Sequence, residues 1–259
     1  MRRILPLLLA PVLIALAAGC ASVPEWRDCS KASCWDGSNA QRRMMNVLSP
    51  AFPDAKFEEY ARWMKARGCN TAHVFLINRG DGEGGGYNAA TNADHAKLAR
   101  KRIAALRGKG FAVVPWLVAD DSSDYAKDLF AHADERLRAI ADAGLLDQAS
   151  YVVLGLEMNE YGSAADWGRV AAALRKVWPG KVGTHHTSGN SFPYAGLGEI
   201  VLGQLDPKKA TPAAIAGQIG AIRALGKEAV GFEYQRYPDR ARAQAALDAG
   251  AFAVGNWGK

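Results

Sequence analysis

The chain has 259 residues, 49% of them hydrophobic and 22% charged, with a net charge of +6. An ordinary apolar fraction with charges of both signs excludes a disordered protein, and four cysteines in this length exclude a disulfide scaffold. Basic residues are scattered, as in Lys97, Arg100, Lys101 and Arg102, so they read as solvated helix faces and argue against nucleic acid as a partner.

Met1-Arg2-Arg3 is a positive start, and residues 4–18 form an uncharged apolar run ending in Ala17-Ala18-Gly19-Cys20. A charged start, a short apolar stretch and small residues before a cut are the pattern of a secretory signal. The run is short for a membrane span, which needs about 20 apolar residues. Small residues directly before a cysteine resemble a bacterial lipobox. That resemblance implies cleavage before Cys20 and lipid on its sulfur, so that the membrane is a partner through this anchor. Ordinary signal cleavage and secretion is the alternative, since Ala17 stands where Leu is more typical. Ser22 gives no acidic signal for inner-membrane retention, which points to the outer membrane facing the periplasm. The expected segments are a signal at 1–19, a leader or linker at 20–43 and one barrel domain at 44–259. In an oxidising compartment Cys29 and Cys34 either bridge a small loop or stay free thiols. Cys69 reads as a small buried residue.

Met44-Met45-Asn46-Val47-Leu48 is the candidate first strand. Asp54 can cap a helix with Phe57, Tyr60, Ala61 and Met64 on one face and Gly68 past its end. Residues 71–76 read as the second strand, followed by a Gly-rich loop. Ala96, Ala99, Ile103 and Leu106 mark a helix stopped by Gly108 and Gly110. Residues 111–118 are the third strand, and about 124–143 are helical with one break. Residues 151–156 are the fourth strand. Ser163 and Asp166 form a capping-box pattern ahead of Trp167, Val170, Leu174 and Val177, and Pro179-Gly180 ends that helix. Strands follow at 182–185, 200–202, 229–232 and 252–254. A helix opens at Thr211-Pro212 with Ile215, Ile219 and Ile222 on its face, and an Ala-rich one follows Asp239. Eight buried strands alternating with helices predict an α/β fold, a compact closed (β/α)8 TIM barrel of the size such barrels have. Only residues 186–199 join the fifth and sixth strands, so that helix is stunted, and none follows the eighth strand. A doubly wound open sheet is the structural alternative.

Such barrels do chemistry at the C-terminal ends of their strands. The fourth strand ends Glu157-Met158-Asn159-Glu160, and the seventh ends Phe232-Glu233-Tyr234. Asn-Glu ending strand four with Glu ending strand seven resembles the clan of retaining (β/α)8 glycoside hydrolases that includes cellulases and mannanases. The resemblance covers residues 44–257 by architecture and a handful of residues by motif. It implies a carbohydrate substrate, no cofactor, Glu160 as general acid/base, Glu233 as nucleophile and Asn159 on the sugar 2-hydroxyl. Two carboxylates are needed because one must deliver a proton while the other attacks ionised, and a carboxyl separation of about 5–5.5 Å makes the reaction retaining. Buried ion pairs with Arg are the alternative role for both Glu. Glu157 is a rival acid, but its place further inside the strand favours a structural partner, and strand alternation puts it on the side of Asn159 rather than Glu160.

By the same resemblance Trp257 is a sugar platform, or else a cover for the barrel end, while Trp116 reads as core. Arg79, ending strand two, stands where the clan commonly carries an Arg that keeps the nucleophile ionised. Asp120 and Asp121 end strand three, where they bind sugar hydroxyls or cap the next helix. His185 and His186 point opposite ways, so both are not ligands of one ion, and no metal-site spacing occurs. His186, nearer the strand end, is expected to line the site. Gln204 on the sixth strand does not match the Tyr usual in the family. The loop from Gly80 lacks the Lys and Ser/Thr of a phosphate loop, and Asp81 and Glu83 lack EF-hand spacing. A lid, with Tyr87 as a stacking residue, is the expectation. The whole reads as an exported, lipid-anchored retaining glycoside hydrolase. A non-catalytic glycan- or envelope-binding lipoprotein is the alternative, motivated by the missing Tyr and the stunted helices.

Overall fold

The computed structural model describes residues 40–44, 46–66, 69–78, 86–119, 124–187, 189–231 and 240–256. In chain order its elements are β1 (Ala40–Met44), α1 (Asp54–Ala66), β2 (Thr71–Phe75), β3 (Ile77–Asn78), β4 (Tyr87–Asn88), α2 (Ala93–Gly108), β5 (Ala112–Val118), α3 (Asp124–Ala131), α4 (Ala133–Asp142), β6 (Val152–Gly155), α5 (Ala164–Val177), β7 (Val182–His186), a short 3-10 helix (Ala195–Leu197), β8 (Ile200–Gly203), α6 (Pro212–Ala224), β9 (Glu228–Gly231), α7 (Arg240–Asp248) and β10 (Ala253–Asn256).

Helices begin where side chains can satisfy the first amides. Ser163 Oγ accepts from the Asp166 amide at 3.2 Å, and the Asp166 carboxylate accepts from the Ser163 amide at 2.9 Å. Thr211 accepts from the Ala214 amide, with Pro212 in the first turn. Asn92 Oδ1 accepts from the amides of Asp94 and His95, both at 3.1 Å. The long helical region breaks at His132, between α3 and α4.

The main sheet is parallel and curled. Seven strands pair in the order β2-β5-β6-β7-β8-β9-β10. β1 pairs parallel with both outer members, Ala40 opposite Val254 on one side and Gln41 opposite Thr71 on the other, so the pairing order closes. β3 and β4 form a separate antiparallel pair. Alternation sends Phe75, Val114, Trp116, Tyr151, Val153, Leu202 and Val230 into one interior cluster. The other faces pack on helices: Val74, Leu117 and Leu154 meet Phe57, Met64, Leu106 and Trp167, while Val201 and Val254 meet Ile215, Ile219 and Ile222.

Three local expectations change. The first strand is Ala40–Met44, ahead of the apolar run, and residues 46–50 form a turn in which the Ser49 amide donates to Asn46 O at 2.8 Å. Val47 and Leu48 are apolar because they are buried under that turn, at 0% and 1% exposure, not because they belong to a strand. The β3–β4 pair was not foreseen; it draws together Asn78 and Tyr87, on either side of the Gly-rich loop. Arg102 is not a solvated residue. It is 3% exposed, and its guanidinium donates to the carbonyls of Val47 at 2.6 Å, Ser49 at 2.8 Å and Phe52 at 2.5 Å and to Asp54 Oδ1 at 2.8 Å.

Arg102 thereby gathers three carbonyls of the connection from β1 to α1, and the first residue of α1, onto one guanidinium. Arg102→Met removes the guanidinium from the carbonyls of Val47 and Phe52 and leaves Ser49 O with only the Phe52 amide, and a hydrogen bond to a charged group contributes about 1.5–3 kcal/mol. We expect a loss of about 3 kcal/mol or more in urea unfolding, with Arg102→Lys recovering less than half because one ammonium cannot reproduce the fork.

Candidate functional site

The C-terminal ends of β6, β7 and β8 lie side by side. Main-chain bonds fix the end of β6: the Leu156 amide donates to Val118 O at 3.0 Å, the Met158 amide to His185 O at 3.0 Å, and the Glu160 amide to Glu157 O at 2.8 Å. Residues 156–160 are therefore a turn bonded to both neighbouring strands, and strand alternation does not extend into it. Glu157 takes the left-handed region, with φ 49°. Its amide donates to His185 Nδ1 at 2.8 Å, and its Oε1 accepts from Gln204 Nε2 at 3.3 Å. The expected division of Glu157 and Asn159 from Glu160 is corrected by this geometry.

Asn159 is clasped to Thr187 just past β7. The Thr187 amide donates to Asn159 Oδ1 at 2.8 Å, and Asn159 Nδ2 donates to Thr187 O at 3.3 Å. The Thr187 hydroxyl donates to Glu160 Oε1. One residue thus orients both members of the Asn-Glu pair, and Glu160 itself is exposed.

The two histidines of β7 do point opposite ways, but in the order opposite to the expectation for His186. His185 pairs in register with Leu202 of the interior cluster, and its ring lies 5.2 Å from Trp116. His186 turns outward. Its Nε2 lies 3.1 Å from Thr184 Oγ1, its ring stacks on Tyr194 at 5.9 Å, and it meets Phe192 edge-on at 5.6 Å. Burial pushes its pKa down to about 4. Being nearer the strand end did not decide orientation; the register did.

Beneath His185 is a polar set that the sequence did not disclose. Trp116 is fully buried and its Nε1 donates to His73 Nδ1 at 2.7 Å, while Tyr151 Oη lies 3.3 Å from His73 Nε2. Because Nδ1 accepts, neutral His73 carries its proton on Nε2, facing Tyr151. The signal for this set was available: His73 stands two residues before Phe75, and Tyr151 two before Val153, each on an inward face. Gln204 was likewise legible as inward, two residues beyond Leu202.

Gln218 of α6 ties the rim together from outside. Its Nε2 donates to Gly189 O at 2.8 Å and to Gln204 O at 3.2 Å. A Cβ on Gly203 would strike the Gln218 side chain, so the glycine permits this approach. Tyr87 is corrected as a stacking residue: it is 1% exposed and packs on His95 at 5.2 Å between ring centroids, and its burial raises its pKa. Cys69 is buried in the core. Glu233, Arg79, Asp120, Asp121, Trp257, Cys20, Cys29 and Cys34 lie outside the described residues, as do Asp81 and Glu83. Among the described residues no group of three or more His, Cys, Asp or Glu side chains converges as a metal site.

No family model matches the chain, and no curated protein matches it. Solved structures do. A glycoside hydrolase of family 5 from Bacteroides vulgatus superposes with a TM-score of 0.66 at 11% identity, over 85% of this chain and 58% of that one. The family 113 β-mannanase from Alicyclobacillus acidocaldarius matches with a TM-score of 0.55 at 11% identity, over 85% and 86%. A family 18 chitinase from Pseudoalteromonas aurantia matches at 0.57 and 11%, over 86% and 94%. The homocysteine methyltransferase of Escherichia coli also matches, at 0.55 and 13%, over 85% and 90%. The fold is therefore the α/β, TIM-barrel-like fold of these glycoside hydrolases. Sharing it with a methyltransferase leaves the chemistry to the rim.

The buried His186 makes acid sensitivity a property of this end of the barrel. Its ordinary pKa in an unfolded chain is about 6.5, and its folded value is about 4. Between these the unfolded chain binds more protons, so stability falls as pH drops through that window, by up to about 3 kcal/mol, and levels off below it. Urea unfolding at pH 7 and pH 4 is expected to show this loss, and His186→Gln to remove most of it.

Proposed function

We propose that this protein is an exported retaining glycoside hydrolase on a compact (β/α)8 barrel, with Glu160 as general acid/base and Glu233 as nucleophile. The observation that carries this reading is Glu160. It stands exposed at the C-terminal end of β6, held by the Thr187 hydroxyl, in a fold shared with glycoside hydrolases. In the first step Glu160 gives its proton to the leaving glycosidic oxygen while the Glu233 carboxylate bonds to the anomeric carbon. In the second Glu160 takes a proton from water, which displaces Glu233 and restores both groups. Arg79 would keep Glu233 ionised, Trp257 would stack on a sugar face, and Asp120 and Asn159 would bind hydroxyls, the last through whatever capacity Thr187 leaves it. His185 replaces His186 as the histidine of the mouth.

Neighbours named as a β-1,4-mannanase and a chitinase make β-1,4-linked polysaccharides the first substrates to try. The leader at 1–19 would direct export and be removed, and lipid on Cys20 would then hold the enzyme at the outer membrane, facing the periplasm. Among the described residues no helix is long and apolar enough to cross a membrane.

Two experiments test this reading. Reducing-sugar release from mannan, β-glucan and chitin is expected for the wild type. Glu160→Gln should lower kcat by about 10²–10⁴-fold, the range for loss of acid–base catalysis, and Glu233→Gln should abolish turnover by removing the nucleophile of the covalent step. Equal activity in all three proteins would remove the assigned roles, and binding without turnover by the wild type would favour the glycan-binding lipoprotein. Separately, radiolabelled palmitate should enter the full-length chain in bacterial cells, and Cys20→Ala should abolish the label and release the protein from the membrane fraction.

A further inference from the structure

We propose that Glu157 and Gln204 form a hydroxyl-reading pair that sets which sugar epimer the mouth accepts, an inference that rests on the glycosidase reading above. Neither residue belongs to the Asn-Glu and Glu motif, and Gln204 stands where the family's Tyr is missing.

The first argument is conformational. A left-handed backbone crowds the Cβ of an L-residue against the following carbonyl oxygen, and glycine would occupy the position more easily. Glu157 adopts it nonetheless, held there by its amide bond to His185 Nδ1 at 2.8 Å. That conformation places the carboxylate against Gln204 at the ends of β6 and β8. Backbone held in a sparsely populated region is a pointer to use of the side chain it aims.

The second argument is an unanswered acceptor. Gln204 is pinned on both sides: its amide donates to His186 O at 2.9 Å, and its carbonyl accepts from Gln218 at 3.2 Å. Its Nε2 is used on Glu157, while its Oε1 is buried and has no hydrogen-bond partner among the described residues. A buried acceptor left without a donor bears the full cost of its lost hydration. A sugar hydroxyl supplies an O–H. The Gln204 Oε1 beside the Glu157 carboxylate offers acceptors in a row, and neighbouring hydroxyls of one pyranose are donors in a row. An epimer that turns one hydroxyl away leaves an acceptor unanswered and is rejected. The backbone clamps give the pair the rigidity that such discrimination requires.

The test compares wild type, Glu157→Gln, Gln204→Leu and Gln204→Asn on β-1,4-linked manno- and gluco-oligosaccharides, and on cello-oligosaccharides bearing a terminal galactose. kcat/KM and calorimetric affinity are measured for each, with thermal unfolding to verify that each variant is folded. Wild type should prefer one configuration by about 10²-fold, the upper scale set by one buried acceptor left unanswered. Gln204→Leu and Glu157→Gln should cut that preference at least tenfold, mainly through KM and affinity. Gln204→Asn keeps the amide but withdraws it, and should do the same with less effect on folding. Folded variants that retain the wild-type preference would overturn the pair's role while leaving the glycosidase reading intact. A wild type that cleaves every configuration equally would also overturn it. A wild type that neither binds nor cleaves any of them would overturn the pair's role, and would sink the glycosidase reading as well if it also released no sugar from chitin.

Discussion

Everything at the rim depends on one constraint: in a curled parallel sheet each strand residue faces either the interior or the helices, and the register with its neighbours decides which. Gly183 opposite Ile200 and His185 opposite Leu202 are interior pairs, so His186 opposite Gly203 must face the helix layer. A shift of one residue would exchange the two histidines and bring His186 into the mouth. Polar groups sent inward by this rule must be satisfied there, since a buried unpaired group is costly. His73 meets the requirement by accepting from Trp116 and facing Tyr151, and His185 by accepting from the Glu157 amide. The interior is therefore more than an apolar filling. Its polar members connect the middle of the barrel to the turn that bears Glu157 and Glu160.

That turn is held from the helix side as well. A Cβ on Gly155 would strike the Trp167 ring, so the glycine lets α5 lie close against β6. Trp167 Nε1 then donates to Met158 O at 3.2 Å and Tyr161 O at 3.0 Å, both within or just beyond the turn. The Ser163–Asp166 capping box sets where α5 begins and so where Trp167 stands. A local helix-start signal thus governs, through one indole, the placement of the carboxylate three residues before the cap. The chain of cause runs from cap to helix, from helix to indole, and from indole to site.

What was legible in the sequence was whatever depends on near neighbours. Helix caps at Ser163 and Thr211, a break somewhere within residues 124–143 and the apolar strands from residue 71 onward all follow from local pattern, while the place of that break, at His132, came from the structure. What was not legible depends on partners far along the chain. Arg102 looks like any exposed arginine on an amphipathic helix until the carbonyls of Val47, Ser49 and Phe52 are brought to it. Val47 and Leu48 have a strand's composition but a buried turn's position. Glu157 follows the strand pattern in the sequence yet lies beyond the strand, because the positive φ that ends alternation leaves no mark when glycine is not used. The Asn159–Glu160 pair was visible as a motif, but the Thr187 residue that orients both was not, since it lies beyond a strand whose end is set only by pairing with β8.

The connection between β7 and β8 shows how a shortened element can still serve the site. In place of a full helix it contains one 3-10 turn, Ala195–Leu197. Phe192 and Tyr194 nevertheless cover the outward face of β7 by packing on His186, the task a crossover helix performs elsewhere in the sheet. Tyr194 also donates from its hydroxyl to Gly162 O at 3.1 Å, across to the segment that follows Glu160. With the Asn159–Thr187 clasp, this makes a second link between the ends of β6 and β7. Both links fix the turn that bears Glu160 against the end of β7 and the loop that follows it. Covering the outward face of β7 and bracing its end against the segment after Glu160 are thus both supplied by aromatic side chains of this loop, without a crossover helix.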